Sequence, residues 1–224
     1  MGFMAAAGSG NAFKRVPQGV WIGRCIKVID LGTQRVEFQG DVKMQHKLQI
    51  TWEVLGEDEY GVPLVVEQDG SEVPMSISKR YTLSLHEKAR LRADLEAWRG
   101  KPFQPEELKG FDVSKLLGAY CMVNVVESET NGKTYSNISS ITPLPRELAK
   151  LKPASSTPLQ SFDVDQPDMA VFEGFHDKLK ETIQSSVEWQ QRTSKLTGQP
   201  AAQKATSAAP AGSSFDDMNS DVPF

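Results

Sequence analysis

Apolar and polar residues alternate along much of the first two thirds of this chain. In residues 16–31, Val20, Ile22, Ile26 and Val28 keep to even-numbered positions. That predicts a strand with its even face in the core and Trp21 and Lys27 pointing outward together. Arg24 breaks the pattern. Gly32–Arg35 and Gln39–Asp41 read as turn material around a short run at 36–38. Next, Met44, His46, Leu48, Ile50, Trp52 and Val54 alternate with Lys43, Gln45, Lys47, Gln49, Thr51 and Glu53, the signature of a half-buried strand. Residues 75–83 alternate again. Ser84 and Glu87 have capping-box spacing and predict a helix from there to about Arg99, with Leu91, Leu95 and Trp98 on one stripe. Gly100 and Pro102 stop it. Residues 119–127 and 133–141 read as two strands joined at Asn131-Gly132, a strong hairpin signal.

The order is three strands, a helix and two strands. It predicts a mainly β domain at residues 14–150, a five-stranded OB-fold barrel with one helix between strands 3 and 4. A ferredoxin-like domain would need a second long helix among the strands. Residues 1–13 read as a flexible N-terminus without the features of a secretory signal. Residues 151–167 read as a Pro/Ser/Thr-rich linker. At 168–193, Phe172, Phe175, Leu179, Ile183 and Val187 recur at steps of three and four, the mark of an amphipathic helix that Asp168 can cap. Its two readings are packing on the barrel and binding a partner. Residues 194–214, rich in Ala, Gln, Ser and Gly, read as a disordered linker, and 215–224 as a separate tip.

Charge divides the chain more sharply than the net −4 suggests. Residues 1–152 carry 20 basic and 19 acidic groups, whereas 153–224 carry 5 and 10. Within the domain, residues 14–47 hold seven bases against three acids, and residues 57–72 hold six acids and no base. A polyanion is therefore expected to meet the N-terminal hairpin and avoid the acidic loop. The two cysteines, Cys25 and Cys121, sit in strand-like runs and read as buried free thiols of a cytoplasmic protein. His46, His86 and His176 are isolated, no phosphate loop is present, and no run is long enough to span a membrane. Neither catalysis, a metal nor a cofactor is expected.

The tip joins Asp216, Asp217 and Asp221 to an apolar Val222-Pro223-Phe224 end. If Phe224 is the terminus, its α-carboxylate adds a fourth negative charge. An acidic, aromatic peptide on a flexible tether suits docking into a pocket edged by Arg or Lys. It resembles the C-terminal tip of bacterial-type single-stranded DNA-binding proteins, although Met218, Asn219 and Ser220 interrupt the acidic run. The body resembles bacteriophage single-stranded DNA-binding proteins in RYTLSLHEKARLRADLEAWRGKPF, from Arg80 to Phe103. FDVSKLLG, from Phe111 to Gly118, and the strand pair ending in ITPLP, from Ile141 to Pro145, resemble them too. The resemblance implies an OB-fold that coats single-stranded DNA and recruits host or phage replication and recombination proteins through its tip.

Single strands are held by basic grooves and aromatic faces. The candidate nucleic-acid contacts are Trp21, Arg24, Lys27, Arg35, Phe38, Lys43, Lys47, Arg80, Tyr120 and Tyr135. Trp52 and Trp98 lie on apolar stripes and read as core. For Trp21, Phe38, Tyr120 and Tyr135, stacking and core roles stand level. Two other functions stay open: a protein-binding adaptor on an OB-like barrel, and an accessory subunit of a replication or recombination enzyme. Assembly into a homo-oligomer is also open.

Overall fold

The computed structural model describes residues 14–38, 40–68, 70–150 and 153–197. The expected N-terminal arm, most of the second linker and the acidic tip lie outside the described residues. The fold is mainly β. Its elements are β1 (Gly19–Phe38), β2 (Asp41–Leu55), β3 (Val65–Gln68), β4 (Ser71–Pro74), β5 (Ser76–Thr82), α1 (Arg90–Arg99), α2 (Pro105–Leu108), β6 (Tyr120–Thr130), β7 (Lys133–Pro143), α3 (Arg146–Ala149), β8 (Gln160–Phe162), α4 (Met169–Glu173), α5 (Asp177–Gln184) and α6 (Val187–Thr197). Antiparallel pairing gives the order β5-β2-β1-β6-β7, with β8 added in parallel to β1. The anticipated acidic loop contains a small hairpin, β3-β4.

β1 is longer than expected, because the chain continues through residues 32–35 without turning. It also changes phase. Cys25 pairs with Trp52 and Lys27 with Thr51, so Ile26 is an extra residue, and a second irregularity falls between Asp30 and Gly32. A bulge moves the following residues to the opposite face. Before it, odd positions point inward: Gly23 and Cys25 are buried, and a Cβ on Gly23 would lie 2.3 Å from Val123. Val20, expected in the core, is 59% exposed. Trp21 is therefore on the inner face, half-buried against the core, with its indole N–H donated to the Pro17 carbonyl at 2.9 Å. Lys27 is on the outer face. The expectation that both point outward fails at this one inserted residue.

The inner core joins Val28, Leu48, Ile50, Trp52, Val54 and Ile77 of the sheet to Leu91, Leu95 and Trp98 of α1. Trp52 and Trp98 meet at 5.7 Å between ring centroids, as their apolar stripes predicted. α1 begins at Arg90, six residues beyond Ser84, and Ala89 caps it without a side-chain bond. Ser84 Oγ accepts instead from the His86 N–H, which makes a local turn of the expected capping box. Gly100, at φ 67°, ends the helix as anticipated. Asn131 and Gly132, at φ 52° and 72°, make the β6–β7 turn, both in the left-handed region that a two-residue hairpin turn requires.

Among the described residues, no backbone ladder closes the sheet into the expected barrel. Its end strands β5 and β7 approach each other, and side chains join them. Lys79 Nζ donates to Asp94 Oδ2 at 2.9 Å and across the seam to the Ile138 carbonyl at 3.2 Å. Tyr81 donates its hydroxyl to the same Asp94 oxygen at 3.0 Å. Both charged side chains are more than nine-tenths buried.

The C-terminal region folds more fully than one helix on a linker. β8 lies within the expected linker, and the anticipated 168–193 helix is three short helices, the last reaching Thr197. Asp168 caps α4 as foreseen, accepting from the Ala170 and Val171 N–H groups. His176 Nδ1 caps α5, accepting from the Leu179 N–H, and so starts a new helix inside the predicted one. Phe162, Phe172, Phe175, Leu179 and Ile183 form a second core on Ile29 and Leu31, the residues that the bulges turn outward. The edge of β1 away from β2 is thereby covered in sequence. β6 pairs with 19–24, β8 pairs with 27–29, and Glu188 accepts the Thr33 N–H at 2.7 Å. An unpaired edge of this length would invite pairing with another chain.

Candidate nucleic-acid interface

The outer face of β1, β2 and β5 follows from strand register, because directly paired residues share a face. Lys27 pairs with Thr51 and Arg24 with Glu53, and β5 sets Thr82 beside Lys47, Arg80 beside Gln49, and Ser78 beside Thr51. Lys43 and Gln45 continue the same face of β2 towards the end of the β1–β2 hairpin. This face thus carries Arg24, Lys27, Lys43, Lys47 and Arg80. Its acids are Glu53 and, at the tip of the hairpin, Asp41.

These cations are not equivalent. Arg24 is committed inward: its Nη1 meets Glu53 Oε1 at 2.9 Å and the Ser155 carbonyl at 3.1 Å, and its side chain is only 12% exposed. The other Glu53 oxygen accepts from Ser155 Oγ at 2.8 Å. Arg24 therefore ties the segment after Pro153 to the sheet and neutralises a fully buried carboxylate; it broke the apparent alternation because even positions of β1 face outward before the bulge. Arg80 lies over the face with its Nε on Gln49 Oε1 at 3.0 Å, and partial desolvation lowers its pKa. Lys47 Nζ donates to Thr82 Oγ1 at 3.1 Å. Lys43 is exposed and Lys27 half-buried. Beneath them, Thr51 Oγ1 and Ser78 Oγ are 2.8 Å apart. The burial of Gln49 and Thr51 was missed in the sequence, where both counted only as the solvent half of an alternating strand.

The remaining candidates fall elsewhere. Arg35 pairs with Met44 on the opposite face of the hairpin and sits 3.7 Å from Glu37. The backbone of Phe38 pairs with Asp41 at the hairpin end. Trp21 is on the inner face. Tyr120 and Tyr135 occupy the outward phase of β6 and β7, out of step with the buried Cys121, Val123, Val125 and Ile138. Tyr120 is opposite Arg24 and donates its hydroxyl to the Pro153 carbonyl at 2.8 Å. The structure thus assembles Lys27, Lys43, Lys47 and Arg80, places the two tyrosines on the adjoining outer face, and separates Trp21 and Arg35 from them.

A titratable cluster braces the base of the hairpin. His46 Nε2 is 2.6 Å from Asp30 Oδ1, and His46 Nδ1 is 3.7 Å from Glu188 Oε1. Burial raises the Asp30 pKa against the opposing pull of the Gly32 N–H and His46. Burial also acts to raise that of Glu188, but its bonds from the Thr33 hydroxyl and N–H prevail and lower it. Both cysteines are buried free thiols, as read from the sequence. Burial takes Cys25 up to about 12 and Cys121 well above its ordinary value. No described helix is long and apolar enough to cross a membrane. No known protein-family model matches the chain, and a search of curated proteins finds no match either.

Proposed function

We propose that this protein is a bacteriophage-type single-stranded DNA-binding protein, built on an OB-fold, that coats exposed strands stoichiometrically and performs no catalysis. The observation that carries the reading is the single outer face shared by Lys27, Lys43, Lys47 and Arg80, whose one buried acid, Glu53, is already neutralised by Arg24. A strand laid along β2 and β5 would meet these cations at its phosphates, and Tyr120 and Tyr135 offer rings for bases on the neighbouring strands. Topology supports the same reading. The path β5-β2-β1-β6-β7, with α1 between β5 and β6, follows OB connectivity, in which the second and third strands and the first hairpin loop contact oligonucleotides. Here those parts are β2, β5 and the β1–β2 hairpin. The acidic tip at 215–224 would recruit replication and recombination proteins.

The test is a fluorescence-anisotropy titration of the full chain with labelled oligothymidylate and with duplex DNA at several salt concentrations. Affinity for the single strand should fall with salt, with a log–log slope of about −0.7 per phosphate neutralised. Lys43→Glu/Lys47→Glu should weaken binding and flatten that slope. Unchanged affinity and slope in the folded double variant would remove this face from the site. No binding to any oligonucleotide would leave the adaptor reading in its place.

A further inference from the structure

Arg24, Arg35, Arg90, Arg92 and Arg99 each meet a carboxylate. Arg80 is held differently. It donates its Nε–H to a neutral amide oxygen, Gln49 Oε1, at 3.0 Å, so its support leaves its charge uncancelled. Gln49 is paired directly with Arg80 across β2 and β5 and is only 9% exposed, whereas Arg80 is exposed. The neighbouring pair repeats the arrangement. Thr51 is 5% exposed, and its hydroxyl lies 2.8 Å from that of the exposed Ser78. Lys27 flanks Thr51 from β1. The bond from Nε leaves the Nη1–Nη2 edge of Arg80, a fork that matches two oxygens of a phosphate. A side chain already held in place loses less freedom when it binds. With Thr51 as donor to Ser78, the Ser78 hydrogen turns outward as a further donor. The sheet sets Lys27 two strand spacings, about 10 Å, from Ser78, and Arg80 about 7 Å along β5 from Ser78. Side chains of this length span such gaps to reach one group between them.

We propose that Arg80, Ser78 and Lys27 form a site for one phosphodiester of the bound strand, and that the buried Gln49 and Thr51 are its positioning residues. Gln49 and Thr51 do not touch the strand. They act through exposed partners, Gln49 by aiming the Arg80 fork and Thr51 by orienting the Ser78 hydroxyl. The inference rests on the strand-binding reading of this face and deepens it. The site offers two cations and a hydroxyl, and none of its five residues carries a ring. It therefore grips the backbone and is blind to base identity. The sequence hid this division of labour, because Gln49 and Thr51 occupy the same alternating positions as Lys43 and Lys47.

The experiment measures affinity of full-length variants for labelled oligothymidylate and oligodeoxyadenylate across a salt series, with urea unfolding as the check on folding. Arg80→Gln should weaken binding about tenfold or more and flatten the log–log salt slope by about 0.7, one phosphate on a single strand. Arg80→Lys keeps the charge but loses the fork and the Nε bond. Gln49→Met keeps the volume but loses the oxygen acceptor. Each should weaken binding roughly fivefold with the slope retained, and the two together should cost little more than either alone. Gln49→Met should instead add independently to Lys43→Gln, which lies outside the site. Ser78→Ala, at an exposed position, should also weaken binding roughly fivefold with the slope retained. Fold losses should match on the two oligonucleotides. Wild-type affinity in folded Gln49→Met or Ser78→Ala, additive losses for Arg80→Lys with Gln49→Met, equal coupling to Lys43→Gln, or losses confined to one base would each overturn the proposal. If Gln49→Met does not fold, Arg80→Lys and Ser78→Ala decide it. Wild-type binding that depends on Lys43 and Lys47 but ignores these changes sinks this site alone; no wild-type binding sinks the strand-binding reading, and this site with it.

Discussion

The side-chain closure between β5 and β7 makes the sharpest prediction about stability. Lys79 and Asp94 are a buried ion pair, and Asp94 also accepts the Tyr81 hydroxyl at 3.0 Å and meets Arg90 Nε at 3.0 Å. Arg90 is 59% exposed at its side chain and can turn to water. Lys79 cannot. In Asp94→Ala its ammonium stays inside with only the Ile138 carbonyl of its described acceptors, and Tyr81 loses the Asp94 acceptor. Removing one partner of a buried pair costs about 3–5 kcal/mol, a large part of the roughly 5–15 kcal/mol that holds a typical domain together. Replacing both partners with apolar groups removes the uncompensated charge. Lys79→Met/Asp94→Leu should therefore be clearly more stable than Asp94→Ala, and adding Tyr81→Phe should recover more. Urea unfolding followed by tryptophan fluorescence gives all three values. A loss below about 1 kcal/mol in Asp94→Ala, or a double variant no better than the single one, would refute the claim that this pair closes the seam.

Three further outcomes follow from named contacts. Gly32→Ala should destabilise the fold by about 1 kcal/mol or more on thermal melting, because Gly32 sits at φ 69° and an added Cβ would lie 2.6 Å from Ser186 and 2.7 Å from Glu188. Cys25 and Cys121 should resist iodoacetamide at pH 8 in the native protein and react once it is unfolded, since burial keeps both as thiols; rapid native labelling would contradict their burial. The Glu188 pKa is depressed on folding, so its stabilisation is present above the ordinary carboxylate value of 4.5 and is lost as pH falls through the lower folded value. Glu188→Gln should remove that part of the acid-side loss in pH-dependent urea unfolding, whereas an identical pH profile would rule it out; the raised Asp30 contributes with the opposite sign and stays in both proteins.

Most of the strand framework was legible because alternation is a local property. Leu48, Ile50, Trp52 and Val54 announced β2, and Asn131-Gly132 announced the β6–β7 hairpin, from a few residues each. What local reading could not give was phase across a bulge. Ile26 is apolar and buried, so it passed as one more member of an even-numbered face, while pairing to Trp52 and Thr51 made it the inserted residue. That one residue reversed the placement of Trp21. The closing of the seam was hidden for another reason: Lys79 and Asp94 look like ordinary surface charges until tertiary packing buries them. The basic face was half legible. Lys43 and Lys47 stood out on β2, but their alignment with Arg80 depends on the β2–β5 register, and the withdrawal of Arg24 depends on a segment 131 residues away.

The same bulges that defeated the sequence reading link the architecture to the proposed function. Had β1 kept one phase, Ile29 and Leu31 would not both lie on the outer side, and the C-terminal helices would have no apolar floor there. Instead those helices bury this part of β1, leaving β2 and β5 beside it as the polar, cationic surface. Thr33, held by Glu188 through its N–H at 2.7 Å and its hydroxyl at 2.6 Å, fixes the base of the hairpin to α6. Lys43 reaches beyond the strands that pair with β5, on the part of the hairpin that this anchor orients. On this argument α6 acts on strand binding without touching the strand. Thr33→Val, which removes the hydroxyl bond but keeps the β-branched side chain and the backbone N–H, should lower the contribution of Lys43 more than that of Arg80, which lies on β5 and does not depend on the hairpin. A double-mutant cycle between Thr33→Val and Lys43→Ala, read as oligothymidylate affinity, should show coupling. The cycle with Arg80→Ala should be additive within about 0.3–0.5 kcal/mol. Equal coupling in both cycles would mean that Thr33 supports the fold as a whole and does not orient the hairpin.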